Sequence, residues 1–299
     1  MSTIMTVYSL EDVVGDYSTK DTEELAAAQN DYEFTAGAWL PYEIPPAISD
    51  AVKELVDERL PSYRFLGGGK DCRAFVNEDA GKVLKVYASW TPEAKERLKS
   101  DEDSSHVSAL KDLYRHAPPF ELEHMEEELA NNYALSTAPS MRDTLARHCV
   151  DVPRFYGHIT VAYNDDIALH IAVQEYTPQH GGHMQMWNDD AVIDGKRLRV
   201  ERDGKAVGLF DSLRSEGVYL DTGTTNNFMV RSDRSLRTAG FGYAAPETTV
   251  VPEDPAEHEF TMTYVDWFNA SNEVTQRARC EVDSTGELAP DEFRSLISA

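Results

Sequence analysis

Cysteine is scarce in this chain: Cys72, Cys149 and Cys280 are its only three among 299 residues. An odd number with no C-x-x-C spacing argues against both a disulfide framework and a zinc site, so reduced thiols are expected. Basic residues are scarce as well. Lys plus Arg number 28 against 53 Asp plus Glu, a formal charge of −25, and such an excess repels nucleic acid phosphates and anionic lipid. No apolar run approaches the length of a membrane span, and the start MSTIMTVYSLEDVV has neither the basic region nor the cleavage site of a secretory signal. The expected compartment is therefore the cytoplasm, with no nucleic acid and no membrane among the partners. A basic protein partner fits the charge; so does acidity that serves only solvation in a salt-adapted host. Imitation of DNA would require a regular array of charge, which composition does not reveal.

What is present suffices for a folded protein, since 41% of the residues are hydrophobic, enough for one two-lobed domain or two small ones. Residues 1–48 are mixed and Tyr-rich and end in LPYEIPP, whose prolines suggest an arm or linker before the main fold. SDAVKELVDERL then offers Ser49 as an N-cap, with Val52, Leu55, Val56 and Leu60 on one helical face. YRFLGGGKDCRAFVNEDAGKVLKVYASW reads as a strand, a glycine-rich turn, a strand, a hairpin turn and a third strand. Residues 92–146 are charged and helical, with Leu122, Met125, Leu129 and Tyr133 in one stripe. VDVPRFYGHITVAYNDDIALHIAVQEYTP returns to two strands joined at NDD, and a further hairpin is expected around Asp194-Gly195. Beyond it, helices are expected over Ala206–Leu213 and around Phe260, Tyr264, Trp267 and Phe268, with a short hairpin in NFMVRSDRSLRTAGFGYA between them. The plan is α+β: a strand-rich first half with one main inserted helical region, then a mostly helical second half.

Four segments carry chemistry in a fixed order. Gly67, Gly68 and Gly69 lie in LGGGKDCRA between two strands, and Lys85 follows Gly67 by 18 residues in the strand KVLKVY. Glycines let a turn approach phosphates without a β-carbon in the way, and a fixed lysine neutralises phosphate oxygens. Gln174-Glu175-Tyr176 ends a strand. In GVYLDTGTTNNFMV, Asn226 stands five residues after Asp221, and Gly240-Phe241-Gly242 begins nineteen residues after Asp221. Taken together, residues 63–243 resemble the protein-kinase-like fold, in a compact form similar to the small protein kinases of T7-like phages.

The resemblance implies two lobes, a strand-rich N-lobe over residues 49–176 and a reduced, mostly helical C-lobe over 177–299. It also implies an ATP-dependent phosphotransferase that acts on protein Ser or Thr, in the host cytoplasm if the chain is phage-encoded. In that scheme Gly67, Gly68 and Gly69 cover the phosphates, Lys85 holds the α- and β-phosphates, and Glu175 and Tyr176 form the adenine-binding hinge. Asp221 accepts the proton of the attacking hydroxyl and Asn226 holds Mg²⁺. The glutamate that pairs with the lysine has no motif of its own; on helix 121–133, Glu126 lies closest to the inward stripe.

The departures from the family are specific. The aspartate that carries magnesium is replaced by Gly240, which favours a pseudokinase, a nucleotide-binding or protein-docking module without transfer activity. Lys85, Asp221 and Asn226 are nevertheless all present. Tyr219-Leu220 stands where the family has His-Arg, so no activation by loop phosphorylation is expected. Gly223 replaces the lysine of many Ser/Thr kinases, and small-molecule phosphorylation is disfavoured because the histidine of aminoglycoside-type kinases is missing there too.

Other residues have plainer readings. His180-Gly-Gly-His183 offers two metal-ligating side chains without a third at a familiar spacing, and reads as an exposed loop. Cys72 fills a tight turn, with a redox handle as the alternative. Asp266 in YVDWFN resembles the family aspartate that braces the catalytic loop, against the plain reading of a helix-surface acid.

Overall fold

Three successive runs after Tyr63 form three antiparallel strands, as their Phe- and Val-rich pattern predicts. The computed structural model describes residues 6–30, 44–68, 72–99, 104–114, 120–147, 150–151, 153–176, 184–185, 190–193, 196–199, 228–230, 236–238 and 276–298. In chain order its elements are β1 Tyr8–Ser9, α1 Leu10–Val14, α2 Thr22–Asn30, α3 Pro46–Arg59, β2 Arg64–Gly68, β3 Arg73–Asn77 and β4 Lys82–Trp90. There follow α4 Pro92–Lys99, α5 Ser105–Leu113, β5 Phe120–Glu121, α6 Leu122–Thr137, α7 Pro139–Arg147, β6 Val150–Asp151, β7 Phe155–Ala162 and β8 Ile167–Glu175. The last are β9 Met184–Gln185, β10 Asp190–Ile193, β11 Lys196–Arg199, β12 Phe228–Val230, β13 Leu236–Thr238 and α8 Pro290–Ser298. The chain is α+β and divides into two units: residues 1–130, 156–176 and 286–299 form one, residues 131–155 and 177–285 the other.

The first unit is built on a mixed sheet of order β1-β7-β8-β4-β3-β2, with β5 running parallel beside β4. β4 pairs with β8 along its whole length, from Lys82 opposite Glu175 to Trp90 opposite Ile167. Residues opposite one another share a face of the sheet. On one face stand Leu84 with Phe75 and Val173, Val86 with Ile171, and Ala88 with Leu169. All of these lie in one core cluster with Leu10 and Val13 of α1, Leu25 of α2, Ile48, Val52, Leu55 and Val56 of α3, Leu110 of α5 and Phe293 of α8. Each fully buried side chain of this size contributes about 1.5–3 kcal/mol. Helices on one face therefore hold the sheet.

Two expectations are corrected here. Residues 6–30 are not an arm ahead of the fold, because α1 and α2 place Leu10, Val13, Leu25 and Ala26 in the core. Ser9 caps α1, its Oγ accepting from the Asp12 amide at 3.1 Å. Nor is Ser49 the N-cap of α3, which starts three residues earlier at Pro46; proline is preorganised for the first helical position, where a missing N–H costs nothing. The expected inward face of that helix is correct, with Val52, Leu55 and Val56 buried.

In the second unit β9, β10 and β11 form one small sheet and β12, β13 and β6 another. Ile193 lies opposite Lys196, the register of a two-residue turn at the Asp-Gly step, and the Phe228–Val230 hairpin with Leu236–Thr238 is also as expected. β9, which pairs with β10 inside the stretch read as a loop, is the strand not expected here. The helices expected over residues 206–213 and 260–268 lie outside the described residues. Near its end, Glu281 takes hydrogen bonds from both the Oγ and the amide of Ser140, and these hold its carboxyl below the usual range.

The C-terminal segment belongs to the sheet unit. The His158 amide donates to Gly286 O and the Leu288 amide to His158 O, both at 2.8 Å. This close approach requires Gly157, whose φ is +144° and where a Cβ would stand 2.6 Å from Gly286 O. Beyond it α8 packs Phe293 and Ile297 into the core, and its last carbonyls are capped by Lys82 Nζ on Leu296 O and Tyr63 Oη on Ile297 O. A cation at a helix C-terminus is favourable for the dipole as well as for the hydrogen bond. Gly157→Ala is expected to cost about 1–3 kcal/mol, the usual cost of overpacking, and to release the C-terminal segment; urea denaturation and limited proteolysis read the two effects.

Candidate functional site

Lys85 occupies the face of the sheet opposite the helical core, half-buried, between Ala74 on β3 and Ala172 on β8. The neighbouring row on that face is Val76, Val83 and Gln174. The row after it brings the end of the sheet, where Lys82 pairs with Glu175 and the Tyr176 amide donates to Gly81 O at 2.8 Å. Glu175 thus lies three residues along β4 from the Lys85 row, about 10 Å at the rise of a β-strand. In the other direction, Val86 pairs with Arg73, which lies opposite Gly68. Gly67, Gly68, Lys85, Glu175 and Tyr176 are therefore gathered on three strands with the lysine strand in the middle. Along the sheet the Lys85 row is flanked by alanines and valines, with the glycine pair on the neighbouring hairpin, while Glu175, opposite Lys82, leaves the sheet on the other face.

The two described glycines differ. A Cβ at Gly67 would meet open space, whereas one at Gly68 would lie 3.0 Å from Arg73 Cδ and 3.1 Å from its Nε. The register also shifts between Phe65 and Gly67, so the ladder is interrupted just before the glycine pair.

Glu126 is on the buried side of α6, whose Met125 and Leu129 are fully buried. Its carboxyl is pushed up to about 7, by burial first and then by the carboxylates of Glu123 and Glu287. The charges that bear on it are both negative, so its surroundings favour the protonated acid.

Two further groups give no motif in the sequence. On the Lys85 face the His170 ring is fully buried, with Nε2 2.7 Å from Ser89 Oγ and Nδ1 2.8 Å from Thr160 Oγ1. Burial, and then His158, lower it to about 3, so the neutral imidazole donates from one nitrogen and accepts at the other. At the β7–β8 turn, Asp166 is 1% exposed. Its carboxylate takes the Thr22 hydroxyl of α2, the Arg97 guanidinium of α4 and, at 3.0 Å, His106 Nε2 of α5. Only their place within two nearly continuous apolar runs hints at Ser89 and His170; Asp166 is invisible because its partners are scattered.

Gly69, Asp221, Asn226 and Gly240 lie outside the described residues, as do His180, His183 and Asp266. Among the described residues no group of three or more His, Cys, Asp or Glu is placed to hold a metal ion, and no helix is long and apolar enough to cross a membrane. Cys72 and Cys280 are not in disulfides.

The raised Glu126 carboxyl has a definite pH signature. The folded state holds this proton more tightly than the unfolded chain, so the contribution falls as pH rises from 4.5 to about 7 and is level beyond. Glu126→Gln removes that slope. Its melting temperature relative to the parent protein is expected to be higher at pH 8 than at pH 4.5, as thermal denaturation at the two values will show; His170 and His158 titrate in both proteins and drop out of the comparison.

No family model matches the chain, and no curated protein does.

Proposed function

We propose that the chain is an ATP-dependent phosphotransferase of the protein-kinase-like superfamily, with a strand-rich lobe that binds nucleotide and an acceptor hydroxyl on protein Ser or Thr. The observation that carries this reading is the β3-β4-β8 order, which sets Lys85 between the glycine hairpin and the strand ending in Glu175 and Tyr176. The strand ending in Glu175 and Tyr176 is far from the other two parts in the chain, and a nucleotide requires all three side by side.

Each residue then has a task. Gly67, Gly68 and Gly69 cover the phosphates with backbone amides, and Lys85 neutralises the α- and β-phosphates. The backbone at Glu175 and Tyr176 meets the base. Asp221 orients the acceptor hydroxyl and takes its proton, and this bond rearrangement moves the terminal phosphoryl group from ATP to the acceptor oxygen, leaving ADP. Magnesium, when bound, would lower the charge on the phosphate oxygens, and Asn226 is the residue to hold it.

Gly240 favours a second reading, in which the chain binds nucleotide or a basic protein without transfer. The metal-holding carboxylate of the family is missing from that position, and metal neutralisation is a large part of phosphoryl-transfer catalysis. The two readings separate in one experiment. Incubation with radiolabelled ATP, magnesium and mixed host proteins is expected to label protein, and Asp221→Ala and Lys85→Met to reduce labelling by about a hundredfold or more. Equal labelling with Asp221→Ala removes that residue from the chemistry. Magnesium-independent ATP binding in a thermal shift, with no labelling, leaves the binding module.

A further inference from the structure

We infer that Arg73 is a positioning residue for the glycine turn, acting on nucleotide binding without touching the nucleotide; this rests on the nucleotide-binding reading above. Arg73 lies on β3 opposite Gly68 of β2 and Val86 of β4. By alternation its side chain leaves the sheet on the Phe75 and Val86 face, the reverse of the Lys85 face. There it crosses Gly68 closely enough that a Cβ on Gly68 would stand 3.0–3.2 Å from Cδ, Nε and Cζ. A side chain at Gly68 would thus displace the arginine behind it by a few tenths of an ångström, independently of any ligand in front.

The guanidinium draws in three other points of the chain. Nε donates to Ser49 Oγ at 2.6 Å, Nη1 to Cys72 O at 3.1 Å and Nη2 to Ile44 O at 3.4 Å. Ser49 is 4% exposed, inside the first turns of α3, so its hydroxyl is a fixed anchor. A planar fork with five donors meets these acceptors together, which the single ammonium of lysine does not reproduce. The residues on both sides of the turn, Gly68 and Cys72, are therefore held from behind against α3 and Ile44. A phosphate-covering turn acts through the placement of its backbone amides, and small errors in placement weaken such contacts steeply.

The test uses the full-length protein and a fluorescent ATP analogue, N-methylanthraniloyl-ATP, titrated well below the melting temperature. Arg73→Met is expected to weaken binding about tenfold, equivalent to about 1.4 kcal/mol, with Arg73→Lys and Ser49→Ala between it and the parent protein. Hydrogen exchange is expected to quicken at residues 67, 68 and 72 while β7 and β8 stay protected. Leu110→Ala, a core substitution in α5 remote from the turn in sequence, serves as a control for lost stability and is expected to leave the affinity unchanged. Unchanged binding by Arg73→Met, or equal weakening by Leu110→Ala, overturns the positioning role while leaving the nucleotide reading intact. Absence of any binding by the parent protein overturns the nucleotide reading, and this role with it.

Discussion

The nine-residue pairing of β4 with β8 is the constraint from which the rest of the sheet unit follows. Both strands are covered on both faces, which is why each reads as a nearly continuous apolar run and not as an alternation. A charged residue in the middle of such a strand is costly unless something solvates it. Lys85 stands there, half-buried, on the face opposite the helical core. Lys82, at the end of the same strand, has the opposite role: it is buried on the helical face, where its ammonium closes α8. Two lysines three residues apart on one strand thus leave the sheet on opposite faces.

Polar groups within this unit are placed to limit the cost of burial. Asp166 would be destabilising alone; with a hydroxyl, a guanidinium and an imidazole from three helices, it becomes the point where α2, α4 and α5 meet the β7–β8 turn. Ser89, His170 and Thr160 do the same across three neighbouring strands. Such networks specify one arrangement of the elements around them, because any slip leaves a buried group without its partner.

Local features were legible in the sequence and remote ones were not. The turns at NEDAG, NDD and Asp194-Gly195 announced their hairpins, since turn chemistry acts over a few residues. The inward stripe of α3 was equally plain. Its start is hidden because Ser49 looks like a cap, whereas its hydroxyl is engaged by Arg73, 24 residues away. Periodicity found the inward side of α6 but could not show that burial, and with it the charge of Glu287 from the far end of the chain, raises the Glu126 carboxyl. Of the candidate site, the order of Gly67, Gly68, Lys85, Glu175 and Tyr176 could be read directly, and their adjacency follows from the sheet order. The core role of residues 6–30 had no local signature; a short amphipathic stretch reveals a buried face only when its partner is known.

Both outer segments of the chain meet on the same edge strand. Tyr8 and Ser9 pair with β7 near its end, Glu287 bridges His158 nearer its start, and the Thr6 amide reaches the Glu287 carboxylate at 3.1 Å. During synthesis, then, the sheet waits for residues made after all of the second unit have left the ribosome. Until that moment the groove for α8 and the β7 edge stay uncovered, so a nascent chain stalled before residue 286 would expose apolar surface to chaperones or to its neighbours.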